Sequence, residues 1–110
     1  HHTSLMPAYT HTQPAQPTTI AHYLLAMAEN VARDVSRLRC AFANLNYCPL
    51  GACAITTTGF PINRHRVAEL LGFTRPTRNS YGSIASIDYF TELLGATSAM
   101  LVNVGKLIDE

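Results

Sequence analysis

The densest run of chemically capable side chains is Met6–Pro17, MPAYTHTQPAQP, where Thr10, His11 and Gln13 bring a hydroxyl, an imidazole and a carboxamide into close succession. Imidazole is the side chain whose unperturbed pKa lies near neutrality, so His11 is the candidate for moving a proton. Thr10 and Gln13 offer donors suited to a carboxylate. Pro7, Pro14 and Pro17 disfavour helix in the residues that precede them. Residues 1–17 therefore read as an extended leader, and the run within it is stiff enough to form one wall of a cleft. On the residues alone, ordinary loop polarity accounts for the same composition.

Other polar clusters carry weaker signals. Arg64, His65, Arg66, Arg75 and Arg78 gather around one short segment and could attract an anionic substrate. Exposed arginines need no function, and a solvated basic loop is the plainer reading. Cys40, Cys48 and Cys53 form no CxxC pair, match no zinc spacing with His65, and are odd in number, which fits reduced thiols in a cytoplasmic protein and no metal. His22 and Tyr23 read as capping or packing groups.

These groups need elements to hold them. From Ile20 the apolar residues Leu24, Ala28, Val31, Val35, Leu38, Phe42 and Leu45 recur in steps of four and three, which predicts a long helix over 18–46 with Thr18 or Thr19 as its cap. A loop rich in Gly, Thr and Pro follows over 47–62. A short helix is expected over 63–72, begun by Asn63 and closed by Gly72 in the left-handed conformation. After a second loop, 73–82, a second long helix is expected over 83–110, begun near Ser83 or Ser86, on the stripe Ile87, Phe90, Leu94, Thr97, Leu101, Val104 and Ile108. Gly95 and Gly105 weaken it by about 1 kcal/mol each relative to alanine, so close helix packing is expected there. Both stripes, with Met27 and Met100, are expected to be core.

The predicted fold is all-α: two long helices and one short one. A helix of the first one's length reaches about 40 Å, whereas a compact globule of this size has a radius of gyration of about 13 Å, so an elongated bundle continuing into other chains is expected. The last stripe still runs at Ile108 with no stop signal before Asp109 and Glu110, so the helix is expected to be truncated. Of the 110 residues, 47% are hydrophobic and 14% charged, and the net charge is +1. That balance argues for surfaces that face protein and against nucleic acid. No apolar run spans a bilayer, and the first residues lack the features of a secretory signal.

MPAYTHTQPAQP resembles the Thr-His region of argininosuccinate lyase within the aspartase and fumarase superfamily, which usually reads close to MPGYTHLQPAQP. The resemblance continues through Thr18–Leu25, Pro49–Ala52, Phe60–Arg64, Glu69–Phe73 and Arg78–Ser80, covering nearly the whole chain in the family's order. It implies a homotetramer around a central helical bundle, with each active site shared among three subunits. It also implies elimination of fumarate from an N-substituted aspartate, argininosuccinate first, as in arginine biosynthesis. His11 then matches the histidine that assists protonation of the leaving nitrogen, Thr10 a carboxylate-binding threonine, and Gln13 a further substrate-binding or loop-fixing group. Side chains suffice for such a reaction, and no cofactor is expected. The family's earlier carboxylate-binding motif and its later Ser- and Gly-rich loop with the catalytic base are not in this sequence, so the chain alone is expected to be inactive.

Some positions depart from the family pattern. Thr12 replaces the usual leucine, and Tyr81–Phe90 replaces an acidic Ser-Asp-Arg-Asp-Phe type run, with Asp88 alone keeping its acidic position. A related substrate, such as the aminopolycarboxylate ethylenediamine disuccinate, is the alternative enzymatic reading. From another class, the stripes alone would suit a structural helical module of the kind lens crystallins of this superfamily form. An imidazole on the extended leader distinguishes the enzyme from that module.

Overall fold

The computed structural model describes residues 2–109. The chain order is β1 (Leu5–Thr10), β2 (Gln13–Thr19), α1 (Ile20–Leu45), β3 (Tyr47–Cys48), α2 (Arg64–Leu70), β4 (Arg75–Pro76), α3 (Ser80–Ala85) and α4 (Asp88–Asp109). The chain is mostly helical but not strictly all-α. It divides into two compact units: one holds β1, β2, α1 through Ser36 and α4 from Ser98, and the other is Arg37–Thr97.

The main departure from an all-α fold is the leader, which is an antiparallel hairpin. Leu5 pairs with Thr19, Met6 with Thr18, Pro7 with Pro17, and Thr10 with Gln13, with a register shift between Pro7 and Tyr9. Neither proline has an N–H to exchange, so the Pro7–Pro17 pair must be one of the ladder's non-hydrogen-bonded pairs. Prolines thus dictated extended backbone without forbidding a partner strand. Ile20 N–H donates to the Ser4 carbonyl at 3.1 Å, tying the base of the hairpin to the start of α1.

Helix α1 has 26 residues, a length of about 39 Å. Thr19 caps it, accepting from the His22 N–H at 3.2 Å. The face of α1 that the chain itself covers best carries Tyr23, Met27, Asn30, Asp34, Leu38, Ala41 and Leu45, with Asp34 and Ala41 fully buried. That face is displaced by about one residue from the apolar stripe. Leu24, Val31, Val35 and Phe42 stay exposed, Phe42 by 60%.

Helix α4 repeats this displacement. Leu93, Ala96, Met100 and Asn103 are among the covered positions, as are Thr97 and Val104 of the stripe, while Leu94, Leu101 and Ile108 are exposed, Leu101 by 60%. The expectation that the stripes form this chain's core is therefore corrected in part: Leu38 and Leu45 of the first stripe, with Met27 and Met100, are half-buried, whereas the fully buried helix positions hold Asp34 and Ala41 and much of both stripes faces away. A Cβ placed on Gly95 or Gly105 would meet nothing within 4 Å, so close packing at these glycines is not present among the described residues.

Within the first unit, the buried Asp34 carboxylate accepts from the Asn103 side-chain amide at 2.8 Å. A buried carboxylate is tolerated only with such partners. In the second unit, the Asn44 amide donates to both Glu92 carboxylate oxygens, at 3.2 and 2.9 Å.

The rest of the second unit is built from short pieces. β3 and β4 pair in parallel, Tyr47 with Arg75 and Cys48 with Pro76, which joins the two loops flanking α2. Asn63 caps α2 by accepting from the Arg66 N–H at 3.0 Å, and Gly72, at φ 78°, lets the chain leave in the left-handed conformation. Where one long helix was expected from residue 83, two occur. Asn79 caps α3 through the Gly82 N–H, extended backbone at Ser86 breaks the helix, and α4 starts at Asp88. Among the described residues, no helix is long and apolar enough to cross a membrane.

Candidate active site

Thr10, His11 and Gln13 meet at the tip of the hairpin. Thr10 and Gln13 are cross-strand partners, so their side chains stand on one face of the ladder, and His11 and Thr12 form the whole turn between them. Two-residue hairpin turns of the favoured kind need positive φ at both central residues, a requirement that Asn-Gly meets with least strain. Here those residues are His11 at φ 48° and Thr12 at φ 64°. Left-handed backbone costs a side-chain-bearing residue about 1–2 kcal/mol, and for a β-branched threonine it is a genuine outlier. The Thr12 hydroxyl donates to the His11 carbonyl at 2.6 Å, which offsets part of that cost.

The consequence is an imidazole held out on a short, constrained loop. His11, Thr10 and Gln13 are all exposed, and the His11 ring has no hydrogen-bond partner among the described residues. A hydroxyl, an imidazole and a carboxamide converging on solvent can hold a carboxylate and pass a proton to an adjacent atom. Below the tip, Thr18 Oγ1 and His22 Nδ1 lie 2.9 Å apart, so His22 belongs to the junction with α1.

The basic cluster is split. Arg66 pairs with Glu69 at 2.8 Å, whereas Arg64, His65, Arg75 and Arg78 line a groove in the second unit. Arg64 is held by two bonds, Nε to the Leu50 carbonyl at 3.2 Å and a terminal nitrogen to Thr77 Oγ1 at 3.0 Å. The sequence gives the cationic residues but not these two carbonyl and hydroxyl anchors, since they lie 14 and 13 positions away in the chain. The three cysteines are free thiols, Cys48 buried and the others exposed, and no group of three His, Cys, Asp or Glu that could hold a metal occurs among the described residues.

Against known proteins, residues 1–110 match the family described as Lyase. The chain belongs to that family. It is 53% identical over 107 residues to argininosuccinate lyase 2 of Agrobacterium fabrum, covering 97% of this chain and 21% of the relative. It is 46% identical over 110 residues to the argininosuccinate lyase of Methanocorpusculum labreanum, covering 100% of this chain and 22% of that protein. Among solved structures, EDDS lyase in complex with formate superimposes with a TM-score of 0.87 at 40% identity, over 94% of this chain and 21% of that one. The lyase chain thus spans about a fifth of the length of the curated relatives it matches. The sequence resemblance to argininosuccinate lyases extends from the Thr-His motif to the whole chain, and the hairpin belongs to a fold shared with EDDS lyase.

Proposed function

We propose that the protein containing this chain eliminates fumarate from an N-substituted aspartate, and that the substrate is argininosuccinate. The observation that carries this reading is the hairpin tip, where Thr10, His11 and Gln13 converge in a chain that matches argininosuccinate lyases over its full length. In the reaction, a base takes a proton from the carbon beta to the departing nitrogen. The resulting carbanion is stabilised as an aci-carboxylate, and the C–N bond then breaks with its electron pair going to nitrogen. His11 assists protonation of that nitrogen, yielding arginine and fumarate, while Thr10 holds a substrate carboxylate and Gln13 supports it. The base belongs to a loop outside this chain. Side chains alone carry this chemistry.

The chain forms part of the central helical-bundle domain of a cytoplasmic homotetramer of arginine biosynthesis, in which each active site is shared between subunits. The exposed stripes on α1 and α4 support this assembly: Leu24, Val31, Val35 and Phe42 on one helix, and Leu94, Leu101 and Ile108 on the other, offer apolar faces for further helices.

A second reading is favoured by the 40% identity to EDDS lyase and by Thr12 at the turn: elimination from another N-substituted aspartate, such as an aminopolycarboxylate. A purely structural helical module is the third, and the exposed imidazole at the tip speaks against it. The test is fumarate release by the intact protein from a panel of N-substituted aspartates, with His11→Asn and Thr10→Ala alongside. Turnover of argininosuccinate that drops by about 100-fold or more in His11→Asn, with the assembly intact, supports the first reading. Turnover of another substrate only moves the assignment to the second. An intact assembly releasing no fumarate leaves the structural module.

A further inference from the structure

We propose that the groove lined by Arg64, His65, Arg75 and Arg78 binds a small multivalent oxyanion. The groove lies between the start of α2 and the segment around β4, has a volume of about 770 Å³, and has no aspartate or glutamate in its lining. Arg64, Arg75 and Arg78 form no ion pair among the described residues, whereas Arg66, outside the groove, is neutralised by Glu69. Like charges brought together without counter-charge disfavour one another, and a bound anion relieves that repulsion.

Two of the guanidinium groups are already positioned. Arg64 is clamped by the Leu50 carbonyl and Thr77 Oγ1, which commits part of its donor set and leaves the other N–H groups available. Its stem lies against Gly51: a Cβ there would sit 2.7 Å from Arg64 Cγ, so the glycine makes room for this placement. Arg75 stacks on the Tyr47 ring, 4.3 Å from its centroid, and donates to the Pro76 carbonyl at 3.3 Å. Groups fixed before a ligand arrives lose little freedom on binding it, and the guanidinium fork matches carboxylate and phosphate oxygens alike. Arg78 and His65 are exposed and make no hydrogen bond among the described residues, so both can close on an anion held by the fixed pair.

Three guanidinium groups ask for more charge than one carboxylate carries, and the volume exceeds that of a single phosphate. The shared chemistry is that of a pyrophosphate or a tricarboxylate. Isothermal titration calorimetry on the intact protein, with inorganic pyrophosphate and with tricarballylate, distinguishes the two. Saturable binding of either is expected, weakened by about tenfold or more in Arg78→Ala and partly restored in Arg78→Lys. Arg66→Ala, which removes an equal charge outside the groove, is expected to leave the affinity within about twofold. Arg78 anchors no other segment, so its loss tests binding without testing folding. Absence of saturable binding with both anions, or equal weakening by Arg78→Ala and Arg66→Ala, would overturn the proposal.

Discussion

Thr10 and Gln13 are register partners across the hairpin, with only His11 and Thr12 between them. This pairing converts three neighbours in sequence into one cluster, because side chains of a cross-strand pair share a face and the turn lifts the imidazole beside them. It also places the cost of the arrangement in the turn, where two residues with side chains occupy left-handed backbone.

Thr12→Gly in the intact protein is therefore expected to raise stability by up to about 1 kcal/mol. Relief of left-handed strain, about 1–2 kcal/mol, is opposed by the extra unfolded-state freedom of glycine, about 0.5–1 kcal/mol, and by loss of the exposed Thr12 hydroxyl bond, about 0.5 kcal/mol. Thr12→Val keeps the strain and loses the bond to the His11 carbonyl, so it should lie below wild type. Thermal unfolding of the three proteins gives the order, and a glycine variant no more stable than Thr12→Val, which loses the same bond, would show that the turn is not left-handed.

Asn103→Leu removes an amide partner from a carboxylate that is fully buried. A loss of about 1.5–3 kcal/mol is expected, the usual contribution of a hydrogen bond to a charged group. Adding Asp34→Leu should recover part of it, since no charge then remains to be solvated. Urea midpoints for the single and double variants decide this. A double variant weaker than Asn103→Leu alone would mean that the carboxylate has a larger stabilising role.

At Gly51, φ is 82° and a Cβ would press on Arg64 Cγ, the fixed stem of a side chain clamped at its far end. Gly51→Ala is expected to cost about 1–3 kcal/mol and to loosen Arg64. Gly59→Ala is the comparison, because a Cβ there meets nothing within 4 Å. Equal denaturation midpoints for the two variants would remove the case for a close approach at residue 51.

Asn63→Ala deletes the side-chain acceptor that closes the first turn of α2. About 1 kcal/mol should be lost, with Asn63→Asp or Asn63→Ser close to wild type. Hydrogen exchange at Arg66 N–H reads the cap directly: its protection should fall in the alanine variant and persist in the other two.

The local rules written in the sequence carried well where an element is set by its own residues. The periodicity from Ile20 to Leu45 and the Asn63 and Gly72 signals around α2 act within a turn or two, and the structure has them. The hairpin was hidden for a specific reason. His-Thr is a pair that turn chemistry argues against, so prolines spoke for extended backbone while nothing spoke for a partner strand. The break at Ser86 lacks a glycine or proline; Ser86 was legible as a possible helix start, but not as the end of a preceding short helix.

The inward faces of α1 and α4 differ from the expectation because apolar periodicity marks a stripe without saying which of its residues this chain itself covers. Asp34, a fully buried polar residue, sits seven positions before the buried Ala41, a spacing that marks a helix face but carries no apolar signal at its first member. At the candidate site the residue types were legible, and their convergence was not. The groove arginines were legible as charge, whereas their anchoring at Leu50, Thr77 and Tyr47 depends on loops that meet only in three dimensions.

The contact between Asp34 and Asn103 also has a schedule. Their separation is 69 positions, and a ribosome adding about 5–20 residues per second needs about 3–14 s to supply the second partner after the first. Through that interval α1 can be helical while its future interior carboxylate still sits in water. The amide from α4 arrives second, so the burial of Asp34 cannot be completed before residue 103 has been made, and the first unit waits on α4.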